Sequence, residues 1–249
     1  MVDKDSYATW KGEVDCPGRR GQATLQEARD CLCLRIPDEH IYPKVAPDWP
    51  VISIKDYVAG DFWPKEPGYY RSGEYSNPCG IADEFVAQIR VNQLIQKNPH
   101  PNLVEFKGCL EKDGRVVRLL FKRCPTDLYR LAERKPAEED HLDDIEVNSF
   151  MEGIRSGVHH LHSMGLAHNS LDPVHILIDE EYRPVITDMT SCQPFGEERR
   201  YHGLSGWHGG YKEESCAAND EIGLKKIEEW LVNAKEGWRH KILKRGIDY

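Results

Sequence analysis

No run of about eighteen apolar residues occurs in this 249-residue chain, so the sequence offers no α-helical membrane span. The opening MVDKDSYATWKGEV has no apolar core, which argues against a secretory leader and for an intracellular protein. Internal repeats and low-complexity tracts are missing too, which sets aside solenoids, propellers and fibrous folds. Positive charge is in deficit: 33 Lys and Arg against 42 Asp and Glu give a net charge of -9, a poor match for nucleic acid or an anionic membrane. There is no CxxC. Cys31 and Cys33 stand too close for one, and the eight Cys (16, 31, 33, 79, 109, 124, 192 and 216) are scattered, so reduced thiols are expected.

What the chain does hold is ordinary for a globular protein. With 39% hydrophobic and 30% charged residues it suits one large domain or one two-lobed unit with a continuous core. The most informative stretch runs from Met151 to Asp188, MEGIRSGVHHLHSMGLAHNSLDPVHILIDEEYRPVITD. Val147, Phe150, Met151, Ile154, Val158 and Leu161 recur at the spacing of one helix face. Gly165 then ends the helix, because glycine takes the left-handed conformation of a C-terminal cap without steric cost. A polar loop over Leu166 to Val174 leads to two short strands, Ile176 to Ile178 and Val185 to Thr187, joined as a hairpin through Glu180 to Arg183.

Helix, polar loop, hairpin and Asp in this order resemble the catalytic centre of protein kinases. The loop is similar to H-R-D-L-x-x-x-N, with His168 for the His, Asn169 for the Arg, Ser170 for the catalytic Asp, Leu171 for the Leu and His175 for the Asn. Asp188-Met189-Thr190 resembles D-F-G. The wording LAHN, PVITD and Ser191-Cys192 looks most like small kinase-like proteins of filamentous fungi, where the loop usually reads HND.

The resemblance implies an α+β, two-lobed fold with a small, mostly β N-lobe and a helical C-lobe truncated after its F-helix. Residues 1–50 would lead into the N-lobe, 51–123 would form it with an insertion over 59–81, and 124–249 would form the C-lobe. Val51 to Tyr57 reads as a strand in which Lys55 resembles the Lys of V-A-I-K. Ala82 to Gln96 reads as a helix with Asp83 and Glu84 in its first turn, where they suit the helix dipole. It ends at Pro99-His100-Pro101-Asn102, similar to the kinase H-P-N turn. The acidic position of that helix falls between Gln88 and Val91, and none of these is Glu. Gln88 is the candidate partner of Lys55 without supplying charge.

Leu103 to Lys107 and Arg115 to Lys122 read as a hairpin about Lys112-Asp113-Gly114. On the kinase register Phe121 is the gatekeeper and Lys122 to Cys124 the hinge, both beside the adenine pocket. A helix is expected over Asp220 to Ala234, with Leu224, Ile227, Trp230 and Leu231 on its apolar face. There Asp220 resembles the F-helix Asp that holds the catalytic loop's backbone.

The chemistry implied is weak. Ser170 has no carboxylate, and loss of a positioned base costs roughly 10²- to 10⁴-fold. His175 presents nitrogen where Mg²⁺ prefers oxygen, leaving Asp188 as the metal carboxylate. Asp172 stands where kinases have a phosphate-binding Lys, and at about 5 Å it would repel a phosphate charge by on the order of 3 kcal/mol. No GxGxxG is present to bring backbone N–H groups to the phosphates of ATP. Asn169 removes the Arg that grips a phosphorylated activation loop. His159, His160 and His162 fall on different helix faces, without the ligand spacing of a zinc site. His162 and His168 read as structural, and Arg199-Arg200 and Lys225-Lys226 as solvated charges.

The expectation is a pseudokinase that binds another protein, such as an active kinase or its substrate, through residues 59–81 or the altered segment after Asp188. ATP and Mg²⁺ are doubtful cofactors. The competing expectation is a low-activity Ser/Thr kinase with Asp188 holding Mg²⁺ and Asp172 as a displaced base.

Overall fold

The computed structural model describes residues 37–68, 80–133, 142–200, 207 and 209–243. The expected helix over Ala23 to Leu34 and the thiols of Cys16, Cys31, Cys33 and Cys79 lie outside these residues.

A short helix α1 (Asp38–Ile41) precedes strands β1 (Val51–Ser53) and β2 (Trp63–Lys65), helix α2 (Gly80–Lys97), and strands β3 (Phe106–Lys112) and β4 (Arg115–Phe121). These strands form one sheet in the order β1-β3-β4-β2, with β1 parallel to β3 and the other pairs antiparallel. β3 and β4 join at the expected tight turn, where Asp113 and Gly114 both have positive φ and so match the twist of a hairpin. α2 lays Phe85 and Ile89 on the sheet, where they pack with Val104, Phe106, Leu119 and Phe121. Each such side chain contributes roughly 1.5–3 kcal/mol on leaving water.

Two expectations for this lobe need correction. The strand over Val51 to Tyr57 stops at Ser53, whose hydroxyl accepts the Lys55 N–H at 3.3 Å and so diverts the backbone from the ladder into a turn. The connection over 59–81 contains β2. Pro64 hides that strand in the sequence, and the fold tolerates it because β2 lies at the sheet edge, where a missing N–H is least costly.

The second lobe begins with β5 (Thr126–Asp127) and α3 (Leu128–Glu133) and continues through α4 (Val147–Ser163), β6 (Leu166–Ala167) and β7 (Ile176–Ile178). It ends with β8 (Pro184–Ile186), β9 (Gln193–Pro194) and α5 (Ala217–Leu243). β5, β7 and β8 make one small sheet, and β6 pairs with β9. The Glu146 carboxylate caps α4 by accepting the N–H groups of Asn148 and Ser149. Gly165, at φ 73°, closes its other end as expected. Phe150, Met151, Ile154, Val158 and Leu161 of α4 share one core with Leu224, Ile227 and Leu231 of α5. α5 is longer than the sequence reading, which began it at Asp220 and ended it at Ala234.

The lobes are stitched together at Asn102. Its carbonyl accepts the Ile186 N–H at 2.9 Å, and its side-chain amide donates to the Pro184 carbonyl at 2.8 Å. Among the described residues no helix is long and apolar enough to cross a membrane.

Candidate functional site

Between the lobes lies a cavity of about 340 Å³. Trp63, Lys65 and Phe121 line it from the first lobe, and His175, Leu177, Thr187 and Asp188 from the second.

The loop after α4 reaches the cavity at Val174 and His175, and one carboxylate fixes that loop. Asp220, fully buried on α5, accepts the backbone N–H groups of His168 and Asn169 at 2.8 Å each and meets His162 Nε2 at 2.9 Å. A buried carboxylate that accepts several N–H donors holds its loop rigidly, because losing one partner leaves a desolvated charge. Asn169 has φ 59°, a left-handed conformation that Asn tolerates. Its side-chain amide donates to the Ser215 hydroxyl at 2.8 Å and to the Ser191 carbonyl at 3.2 Å, and its carbonyl oxygen accepts from Asn219 at 3.0 Å. A neutral network thus ties the loop to the segment that follows Asp188.

His168 is buried below Asp188. Its Nε2–H donates to the Thr187 carbonyl at 2.9 Å, and its Nδ1 accepts the Ser170 N–H at 3.3 Å. Burial pushes the imidazole below its ordinary pKa despite the opposing pull of Asp220, so the ring is neutral. His162 and His168 are therefore structural, as expected.

At the centre, Asp188 takes a left-handed conformation, with φ 63°. Lys65 Nζ donates to Asp188 Oδ1 at 2.5 Å and to the Thr190 hydroxyl oxygen at 2.7 Å. The Thr190 hydroxyl donates to the same carboxylate oxygen, and so does the Thr190 N–H at 3.1 Å. His175 Nε2 lies 3.4 Å from Asp188 Oδ2, while its Nδ1–H donates to the Ser170 carbonyl at 2.7 Å. One imidazole therefore spans the gap from Ser170 to Asp188. Burial pushes the Asp188 carboxyl up, but Lys65, His175 and the hydrogen bonds outweigh it and hold the group far below the usual carboxylate range.

The other anticipated residues are distributed unevenly. Phe121 lines the cavity, with its ring centre 5.5 Å from that of Phe106. Ser170 is only 2% exposed, and Trp207 donates to the carbonyl of the next residue, Leu171, at 2.6 Å. The Asp172 carboxylate caps the turn Pro173–His175 by accepting the N–H groups of Val174 and His175, and it also lies 3.3 Å from His175 Nδ1. Gln88 is buried on α2 and donates to Glu84 at 3.1 Å, not to a lysine of the cavity. Lys122 sends its backbone N–H to the Glu105 carbonyl, and its side chain lines a different cavity of about 540 Å³, bounded by the end of α2, the turn after it and the β7–β8 hairpin.

Lys55 stands exposed in the turn after β1, and the lysine that meets Asp188 is Lys65. The only sequence trace of Lys65 is its place at the end of the apolar pair Phe62-Trp63, masked by Pro64. Arg199 and Lys226 also depart from expectation. Arg199 is 5% exposed with its guanidinium 5.5 Å from the Tyr211 ring centre, and Lys226 donates to the Trp207 and Gly209 carbonyls at 2.6 and 2.7 Å.

Magnesium demands near-octahedral oxygen ligands. Here the donor set is one carboxylate, with one oxygen against an ammonium and the other facing an imidazole. These side chains, as arranged, do not fit the ion.

The protein kinase domain family matches residues 80–208. The sensor for unfolded proteins in the ER of Schizosaccharomyces pombe is 32% identical over 93 residues, 37% of this chain and 9% of that protein. A probable serine/threonine-protein kinase, HAL5-like, of Vanderwaltozyma polyspora is 32% identical over 118 residues, 45% of this chain and 15% of that protein. The matches thus span less than a sixth of the length of these relatives. Among solved structures, the Cydia pomonella Granulovirus kinase PK-1 superposes with a TM-score of 0.50 at 15% identity, covering 59% of this chain and 56% of that one.

Proposed function

The chain belongs to the protein kinase family, and on that premise we propose that it is a pseudokinase, a kinase-shaped module that works by binding another protein. The observation that carries this reading is the Lys65–Asp188 contact of 2.5 Å. In phosphoryl transfer the lysine serves phosphate and the aspartate serves metal. Here the two neutralise each other, and His175 faces the remaining carboxylate oxygen. Three further features point the same way. Ser170 supplies no carboxylate and is buried, the buried Gln88 stands in the stretch where an acidic partner for the lysine is expected, and of the two carboxylates that line the cavity Asp127 is engaged by Arg130, which leaves Asp188.

The competing reading, a feeble Ser/Thr kinase with Asp172 as displaced base, is disfavoured by the hydrogen bonds that Asp172 already accepts in its own turn. The test is transfer of radiolabelled γ-phosphate from ATP and Mg²⁺ to a generic basic protein, with wild type and Asp188→Ala. No label above the mock reaction is the expected result. Label that disappears in Asp188→Ala overturns the proposal. The partner side of the reading is tested by co-purification with an active kinase or its substrate, through residues 59–81 or the segment after Asp188.

A further inference from the structure

We infer that the stacked imidazoles of His100 and His160 form a pH-operated latch between the lobes, closed while His100 is neutral and released when it takes up a proton. The latch is separate from the cavity around Asp188 and does not depend on whether phosphate is transferred.

Each ring comes from a different lobe. His100 stands in the turn between α2 and β3 and His160 in the last turn of α4, with ring centres 4.8 Å apart and 26° between their planes. The hydrogen bonds fix where each neutral ring carries its proton. A backbone N–H can only donate, so His100 Nδ1 accepts the Asn102 N–H at 3.2 Å, and its Nε2–H donates to the Ser156 hydroxyl of α4 at 3.2 Å. A carbonyl can only accept, so His160 Nε2–H donates to Asn98 at 2.8 Å. A proton arriving at His160 Nδ1 breaks none of these bonds. One arriving at His100 Nδ1 turns the acceptor of Asn102 into a second donor and sets a positive ring against its stacked neighbour.

The surroundings do not favour that positive ring. Burial lowers the His100 pKa, and His160 lowers it further. The charged side chains that share a cavity with His100 are Glu105, Lys122, Asp179 and Arg183. Glu105 is matched by Lys107 at 2.5 Å and Asp179 by Arg183 at 2.8 Å, while Lys122 and Lys97, at the end of α2, are themselves positive. On α4, Glu152 is exposed a turn before Ser156, Arg155 pairs with Glu228 at 2.7 Å, and the His159 ring lies near that of His162. Among the described residues the imidazoles that meet a carboxylate are His162 and His175, not this pair.

Asn102 carries the effect across the junction. Its N–H donates to His100, its carbonyl accepts from Ile186 and its side-chain amide donates to Pro184, so loss of the first bond frees the turn that grips β8. β8 is the strand that leads to Asp188. His100 also lines the cavity of about 540 Å³, so the released ring has room to turn away from α4.

The experiment is hydrogen exchange of the full chain, read as protection factors for the Asn102 and Ile186 N–H groups from about pH 7.5 to about pH 5.5. A released ring protonates around the ordinary 6.5 and a latched one lower, so the closed state is fully favoured above that value and loses ground below it. One unit below, a released ring is protonated about ten to one, so the two protection factors are expected to fall by about tenfold more than those of the α4 amides. His100→Asn keeps an oxygen that can accept the Asn102 N–H and cannot be protonated, and there the extra fall is expected to vanish. Nitrogen NMR of the wild type at neutral pH, which needs no variant to fold, is expected to show a neutral His100 ring with its proton on Nε2. No extra fall in the wild type, an equal fall in His100→Asn, or a His100 proton on Nδ1 overturns the inference.

Discussion

His162 on α4 and Asp220 on α5 meet at 2.9 Å, and the same carboxylate oxygen accepts the backbone N–H of His168. With Asn169 N–H on the second oxygen, a fully buried carboxylate is shared by a helix and a loop. Asp220→Ala leaves two backbone donors and an imidazole without an acceptor. The expected cost is about 3–5 kcal/mol, the range for breaking a buried charged network. Asp220→Asn keeps one acceptor oxygen and is expected to lose less. Urea unfolding of both variants measures the difference, and equal midpoints for wild type and Asp220→Ala would contradict the role.

Acid is expected to weaken the fold in two stages. His168 has a folded pKa below the unfolded value of 6.5, because burial disfavours the imidazolium. The unfolded chain then binds the extra proton first, so stability falls as pH drops below about 6.5 and continues to fall until the folded group titrates. Asp188, also depressed in the folded state, adds a second loss as pH falls below the unfolded carboxylate value of 3.8. Denaturant midpoints between pH 8 and pH 3 check the profile. In NMR, the His168 ring should remain untitrated at a pH where exposed imidazoles have taken up half their protons.

The Lys65–Asp188 pair is partly open to water, with side chains 25% and 31% exposed, so its removal is expected to cost only about 1 kcal/mol after solvent screening. Lys65→Met should nevertheless raise the Asp188 pKa toward the ordinary carboxylate range, since the ammonium is the largest influence that lowers it. Lys55→Met should leave both stability and the Asp188 titration unchanged. If instead the Lys55 variant moves the Asp188 titration, the assignment of the cavity lysine is wrong.

The helical lobe was legible because its signals are periodic and local. The face of Phe150, Ile154, Val158 and Leu161, the stop at Gly165 and the spacing from His168 to Asp188 survive any change in the chemistry between them. β2 was not legible. Three residues are too few for a period of two to register, and Pro64 argues against a strand unless its edge position is known. Lys55 therefore drew attention that belonged to Lys65. The engagement of Arg199 and Lys226 around Tyr211 was equally hidden, because a pair of basic residues reads as a solvated surface until a ring and free carbonyls are folded beside it. The mutual cancellation of the cavity's charges belongs to the same class, since Lys65 and Asp188 stand 123 residues apart.

Gly157 offers a test of how the lobes are joined. It lies in the middle of α4, where Ala is normally the better residue by roughly 1 kcal/mol. A Cβ at this position, however, would stand 2.9 Å from the Asn102 carbonyl oxygen and 2.9 Å from Ile186 Cδ1. The side-chain contact can yield, but the carbonyl is held by the Ile186 N–H and belongs to the turn between α2 and β3. Gly157→Ala is therefore expected to destabilise by about 1–3 kcal/mol despite its helix propensity, through overpacking. Because α4 must move away from the turn, the Asn102 amide bond to the Pro184 carbonyl should loosen as well. Hydrogen exchange at Ile186 N–H reads this directly: faster exchange with the α4 amides still protected marks a loosened junction, whereas unchanged exchange would mean that the helix and the turn are not in contact there.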